Sequence, residues 1–207
     1  MTRDVVVDLC CCEGGAARGY AQAGLTVVGV DIEPQPRYPY RFVQADAVEF
    51  LASANLTKVA LIHASPPCQS YSRNLRGMAK VRPPKLIDIM LPLLVATGRP
   101  WVIENVIGAP LPEQDTLDGD YGVMLCGTML GMPQVWRHRL FQSSFPIPAP
   151  RGCDHSTAPL NPMRGQGEPF IERRWRQAAG LADLSRYGAR QAIPPAMAAY
   201  IASCLPS

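Results

Sequence analysis

The residues with the clearest chemical potential are Pro66-Pro67-Cys68-Gln69, which follow the apolar run Val59 to His63. Two prolines restrict the backbone and present the next side chain at a strand terminus, so Cys68 is positioned rather than packed. A thiol is the most nucleophilic side chain near neutral pH once it is ionised, and this setting suits covalent catalysis. Cys126 and Cys204 lack such a setting and read as buried, inert cysteines. A second group comprises Gly14-Gly15, Asp31 and Asp46, each just beyond an apolar run. Taken singly they have plain explanations as turn residues. Together they match a pocket for an adenosine-containing ligand, with Asp31 placed to accept from two ribose hydroxyls. The dinucleotide fingerprint Gly-x-Gly-x-x-Gly is absent, which argues against a nicotinamide or flavin enzyme.

These residues need elements to hold them. Val5 to Cys10, Thr26 to Val30, Phe42-Val43, Val59 to His63 and Trp101 to Ile103 read as buried strands. Between them fall helical patterns: Ala16 to Ala23 closed by Gly24, a segment from Asp46 through Phe50, and Pro84 to Thr97 with a kink at Pro92. Alternating strands and helices predict an α/β chain with a mostly parallel sheet covered on both faces. In such sheets ligands sit at the carboxyl ends of the strands. Cys10 to Gly15, Asp31, Asp46, Ser65 to Gln69 and Glu104-Asn105 all fall there. We expect a core over 1–142, an irregular Pro- and Gly-rich segment over 143–174, and C-terminal helices over 175–207 that return to the core. Pro194-Pro195 would open the last of these helices.

Hydrophobic residues make up 47% and charged residues 18% of the 207, a globular composition that excludes a disordered or fibrous chain. The seven cysteines are odd in number, three are adjacent and none forms a Cys-x-x-Cys pair, so neither a disulfide framework nor a metal site is expected. The most apolar helical stretch, Leu86 to Thr97, is too short to span a bilayer and carries Asp88. No leader pattern follows Met1, so a cytoplasmic location and no membrane partner are expected. Charge is unevenly spread. Residues 1–133 hold 11 basic and 13 acidic side chains, residues 134–207 hold 9 and 4. The cluster Arg73, Arg76, Lys80, Arg82 and Lys85 contains no acid. Such patches attract polyanions, which points to nucleic acid as a partner.

Several of these motifs, in order, resemble those of the DNA (cytosine-5)-methyltransferase family: Asp8-Leu9-Cys10 with Gly14-Gly15, Pro66-Pro67-Cys68-Gln69-Ser70, Glu104-Asn105-Val106 and Arg137-His138-Arg139. The tail Gln191-Ala192-Ile193-Pro194-Pro195 is similar to a variant of the family's closing motif. The likeness spans almost the whole chain, and the short length is similar to versions carried by bacteriophages. It implies a Rossmann-like fold dependent on S-adenosylmethionine, a very small target-recognition segment, DNA as partner and a monomeric enzyme. By resemblance Cys68 attacks C6 of an extruded cytosine, Glu104 holds the N3 edge, and Arg137 with Arg139 holds the O2 side and supports the thiolate. Asp8, Cys10, Gly14, Gly15, Asp31, Ile32, Asp46, Pro67, Gln191 and Ala192 would line the cofactor site. Gln69, Ser70, Arg73, Arg76, Lys80, Arg82, Arg164, Arg173 and Arg174 would meet DNA, with Arg151 and His155 as further candidates.

Departures from the family pattern gather at the methyl-donor end. Cys12 stands where glycine is usual and Glu13 where an apolar residue is common, while the usual aromatics at Cys10 and Ile32 are missing. Three alternatives therefore stay open: transfer of a hydroxymethyl group from a folate, methylation of an exocyclic amine, and an inactive DNA-binding relative. The amine reading fits poorly, because the residue after Ser65-Pro66-Pro67 is Cys68 rather than an aromatic.

Overall fold

The computed structural model describes residues 4–71, 84–116, 121–160 and 169–206. Arg73, Arg76, Lys80, Arg82 and Arg164 lie outside the described residues.

Seven strands form one sheet: β1 (Val5–Leu9), β2 (Thr26–Asp31), β3 (Arg41–Gln44), β4 (Val59–Ala64), β5 (Trp101–Asn105), β6 (Tyr121–Cys126) and β7 (His138–Ser143). Their spatial order is β3-β2-β1-β4-β5-β7-β6. Strands β1 to β5 pair in parallel, whereas β7 lies antiparallel between β5 and β6. This is a Rossmann-like topology, a doubly wound sheet with one reversed strand near its edge. Among the described residues six α-helices accompany it: α1 (Gly15–Gln22), α2 (Ala47–Ser53), α3 (Leu86–Ala96), α4 (Pro169–Ala178), α5 (Arg186–Gln191) and α6 (Pro195–Ser203). None of the described helices is long and apolar enough to cross a membrane.

Continuous apolar strands are buried on both faces, and successive side chains go to opposite sides. Val6, Leu61 and Val102 enter one core with Ala17, Tyr20, Met197 and Ile201 from α1 and α6. Their neighbours Val7, Ile62 and Ile103 enter the other core with Leu51, Met90 and Leu94 from α2 and α3. The α1–α6 contact depends on glycine. A Cβ on Gly19 would sit 2.0 Å from the Pro195 carbonyl oxygen, and one on Gly15 would sit 2.4 Å from the Ala192 Cβ. Small residues thus bring the C-terminal segment against the turn after β1.

The expected elements are present, with shifted ends. Helix α3 begins at Leu86 rather than Pro84, and exposed Pro92 lies inside it. Glu104 and Asn105 form the carboxyl end of β5, at 5% and 1% exposure. Two strands escape the sequence pattern: β6 contains a glycine, and β7 opens with His138-Arg139. Helix α4 starts six residues before Trp175, inside the stretch expected to be irregular. Trp175 packs with Val135, Leu181, Leu184 and Ala192 in a third, smaller core. That contact gives the C-terminal helices their own anchor.

Candidate active site

The strand order reverses between β1 and β4, and the crevice beyond such a reversal is where doubly wound sheets bind ligands. A cavity of about 510 Å³ opens there, lined along one side by Cys68, Glu104 and Arg139 and along the other by Asp8, Asp31 and Asp46.

Register explains how Glu104 and Arg139 meet. Glu104 pairs across the antiparallel ladder with Phe141, so Arg139, two residues earlier on β7, shares its face. Arg139 Nε lies 2.7 Å from Glu104 Oε1, both side chains being largely buried. Burial raises the Glu104 carboxyl above the ordinary range, against the opposing pull of Arg139, Arg137 and the Ser65 hydroxyl. A carboxyl in that state can keep its proton.

Cys68 opens a single 3₁₀ turn, Cys68–Ser70, directly after Pro67. Asn105 holds this turn to the sheet: its Nδ2 donates to the Pro66 carbonyl at 2.8 Å, while its Oδ1 accepts from Val106 N–H at 3.0 Å. Burial pushes the Cys68 thiol up, and Arg139 pulls it down against Glu104. The resting state is therefore a thiol, with a cation beside it for use when charge develops.

The two arginines divide their tasks. Only Arg139 lines the cavity. Arg137 Nη2 donates to the Arg190 carbonyl at 2.6 Å, and its guanidinium lies 5.5 Å from the Trp175 ring centroid. Arg137 thus ties β7 to the C-terminal helices, and it still lies close enough to Cys68 and Glu104 to favour the charged form of each.

At the other end, Asp8 is almost wholly buried and its Oδ2 has no hydrogen-bond partner. Burial, reinforced by the charge of Asp31, raises its carboxyl to about 8. Asp31 Oδ2 accepts from Cys12 N–H at 2.9 Å and Oδ1 from Glu33 N–H at 3.0 Å. Each oxygen keeps a further lone-pair site. Asp46 caps α2, its Oδ1 accepting from Val48 and Glu49 N–H groups at 2.8 and 3.1 Å. Cys10, Gly15, Ile32, Pro67, Gln69, Gln191 and Ala192 also line the cavity. Gly14 does not line it; with φ +80° it supplies the left-handed turn that starts α1.

The two departures after β1 have different consequences. Cys12 adopts φ +47°, in the left-handed region where glycine is at ease, and lines the cavity. Its N–H bond to Asp31 compensates part of that strain. Glu13 faces away from the cavity: its carboxylate accepts from the Ser185 N–H at 2.7 Å and from the Ser185 hydroxyl, just before α5. It acts as a latch between the turn after β1 and the C-terminal segment. Charge-assisted bonds contribute about 1.5–3 kcal/mol each, and without them the half-buried Ser185 N–H and hydroxyl lose their acceptor. Glu13→Ala is therefore expected to cost about 2–4 kcal/mol, measured by urea unfolding; a loss below about 0.5 kcal/mol would remove the latch.

Some site residues escape sequence reasoning. Tyr20 Oη lies 2.7 Å from His63 Nδ1, and His63 Nε2 lies 2.9 Å from Ser65 Oγ, which in turn hydrogen-bonds Glu104. Burial lowers His63 to about 3, so it stays neutral and relays rather than carries charge. His63 gave no signal because a histidine inside an apolar strand looks like core. Tyr187, 67% exposed, lines the same cavity as Ile32, 61% exposed. Only the return of α5 to the cavity reveals it. Among the expected DNA contacts, Gln69 lines the cavity, Ser70 is buried, and Arg173 and Arg174 are exposed on α4. Arg151 is engaged otherwise, donating to the Met129 and Thr128 carbonyls at 3.0 and 2.8 Å.

No family model and no curated protein matches the chain. Among solved structures it is similar to the Dnmt2 methyltransferase of S. pombe, at 16% identity and TM-score 0.43, covering 69% of this chain and 49% of that one. It is also similar to a triple mutant of Spodoptera frugiperda DNMT2, at 16% identity and TM-score 0.46, covering 82% and 61%. The chain thus spans about half to three-fifths of the length of these proteins. Both likenesses are shallow, and the fold rests on the strand order itself.

Proposed function

We propose that this chain is a DNA cytosine-5 methyltransferase that uses S-adenosylmethionine and a Cys68 adduct. The observation that carries the proposal is the single cavity joining Cys68, Glu104 and Arg139 to a pocket lined by Asp8, Asp31, Glu33 and Asp46. The pocket end is acidic, and among the described residues no basic side chain lines it. This suits a donor of net positive charge, bearing a sulfonium and an ammonium against one carboxylate. It disfavours a folate, whose glutamate tail is anionic. The volume falls within the range of small-molecule sites. Asp31 would hold the ribose and Asp46 the adenine amino group. Ile32 and Tyr187, both exposed at the cavity, would pack on the adenine ring, Tyr187 supplying the aromatic surface missing at position 32.

The donor supplies an electrophilic methyl group. Cytosine C5 is a poor nucleophile until C6 is attacked, so the chain's part is to activate the base. Cys68 releases its proton to solvent and its Sγ bonds to C6 as the N3 edge takes the Glu104 proton, and electron density moves to C5. Arg139, beside both groups, offsets the developing negative charge. Once C5 carries the methyl group, the C5 proton leaves to solvent, the C6–S bond breaks, N3 returns its proton to Glu104 and Cys68 is regenerated. The base must leave its stack to reach Cys68, which costs a few kcal/mol. Exposed Arg173 and Arg174, with Arg164 and the basic cluster after Gln69, would hold the phosphates of the distorted duplex. The stretch 143–174 would serve as a reduced target-recognition segment.

Incubation with tritiated S-adenosylmethionine and DNA, followed by nucleoside analysis, should place label in 5-methyldeoxycytidine. Label on an exocyclic amine, or incorporation only from a methylene-folate donor, would overturn the proposal. Parallel incubation with RNA identifies the polymer: label confined to RNA would refute DNA as substrate.

A further inference from the structure

On the face of β7 opposite to Arg139, four side chains of metal-binding type converge: Cys126, His138, Cys153 and His155. They come from three places in the fold. Cys126 ends β6, His138 opens β7, and Cys153 and His155 lie in the segment after β7 that has no helix or strand of its own. We propose that they form a structural zinc site. None belongs to the cavity at the switch point, and the proposal stands independently of the methyltransferase reading.

The geometry is that of a closed tetrahedral site. Cys126 and His138 are direct cross-strand partners, which sets their side chains side by side on one face. Cys126 Sγ is 3.6 Å from His155 Nε2, and Cys153 Sγ is 3.6 Å from His138 Nε2. All four ligand atoms lie within 4.8 Å of one another. With Zn–S near 2.3 Å and Zn–N near 2.0–2.1 Å, a tetrahedral angle places sulfur and nitrogen about 3.6 Å apart. Two thiolates and two neutral imidazoles are a donor set that zinc favours, and they cancel its charge. With four protein ligands no position remains for water, so the site is structural rather than catalytic.

The surroundings support the ligands. Thr128 Oγ1 donates to Cys126 Sγ at 3.3 Å, as expected beside a sulfur that bears charge. The same hydroxyl accepts from the Asp154 N–H at 3.2 Å, joining the two cysteine segments. Trp136 stacks on the His155 ring at 4.3 Å, fixing its orientation. Residues 148–159, which bear Cys153 and His155, are exposed throughout, between Phe145 and Ile147 in one core and Leu160 against the third. A metal would anchor them where apolar burial does not. It would also hold His138, and hence the start of β7, in the register that brings Arg139 to Glu104. Binding joins one Zn²⁺ to both sulfurs and both Nε2 atoms, and each thiol releases its proton to solvent.

The spacing explains why the site is silent in the sequence. Short metal-ligand pairs such as Cys-x-x-Cys are recognisable because two ligands sit on one turn. Here only Cys153 and His155 are near neighbours, and the sheet brings in the other two.

The test is metal analysis of the full chain purified under reducing conditions. About one equivalent of zinc per chain is expected, released by a chelator with a fall in melting temperature. Apoprotein titrated with Co²⁺ should develop strong tetrahedral d–d bands with thiolate-to-metal charge transfer. Cys153→Ser and His155→Ala lie on the exposed segment, so they keep the test open should Cys126→Ser fail to fold; each should lower zinc retention at least tenfold. Cys204→Ser, outside the cluster, should retain the full equivalent. Folded protein with less than a tenth of an equivalent of zinc and no tetrahedral cobalt spectrum would overturn the site, as would undiminished zinc in both Cys153→Ser and His155→Ala. These readouts need no DNA, so failure of the zinc site and failure of methyl transfer are told apart.

Discussion

Cys68→Ser is expected to abolish methyl transfer while leaving the protein folded. Loss of a covalent nucleophile lowers turnover by roughly 10⁴-fold or more, because the remaining groups stabilise a reaction that can no longer start by the same route. Serine differs from cysteine by one atom, and Cys68 is only half-buried in its short turn, so the stability change should stay within about 0.5–1 kcal/mol. The Asn105 bond to the Pro66 carbonyl does not involve the thiol and should persist. Three measurements decide the matter together: tritium incorporation, the urea unfolding midpoint, and donor affinity by calorimetry. A serine variant that turns over near the normal rate would end the covalent proposal. An oligonucleotide containing 5-fluorocytosine should trap the native enzyme as a stable adduct, since fluorine at C5 cannot leave as a proton does, and should not trap the variant.

Glu104→Gln is expected to slow the chemical step by about 10²–10⁴-fold with little change in DNA affinity, as removal of a general acid does. The pH profile carries more information than the magnitude. Cys68 must lose its proton to attack, and Glu104 must hold its proton to give it up. Burial raises both groups above their ordinary values. As pH rises between the two, more Cys68 is ionised while less Glu104 is protonated, and the opposing changes leave the native single-turnover rate nearly flat. Glutamine has no proton to lose, so the variant's residual rate should climb with pH over the same interval. A variant in which affinity alone collapsed, with the native profile retained, would make Glu104 a structural residue. The relay from Tyr20 through His63 and Ser65 would then be a packing feature rather than support for an acid.

Much of the fold was legible because its physics is local. Val5 to Val7 and Val59 to Ile62 are apolar without interruption, as suits strands covered on both faces, and Asp31, Asp46 and Cys68 stand at or just beyond the ends of their strands. The prolines before Cys68 restrict the chain whatever surrounds it. In contrast, β6 and β7 were not legible. Their short segments interrupt apolar residues with Gly122, Arg139 and Gln142, and become strands only by pairing across a sheet edge that distant residues build. The same holds for the division between Arg139 and Arg137. Their types and spacing are identical, yet one faces Glu104 while the other bonds the Arg190 carbonyl, because the register of β7 and the anchoring of Trp175 place different partners before them. Glu13 looked like an intruder at the donor end and is a latch to Ser185. The convergence of Cys126, His138, Cys153 and His155 depends on the pairing of β6 with β7 and on the path of the segment that follows β7. Sequence by itself determined the kinds of chemistry available and the order in which they sit along the chain, since those follow from residue type and backbone preference. Which groups touch, which keep their protons and which share a metal was decided by tertiary structure, because burial and charge proximity exist only after the sheet has assembled.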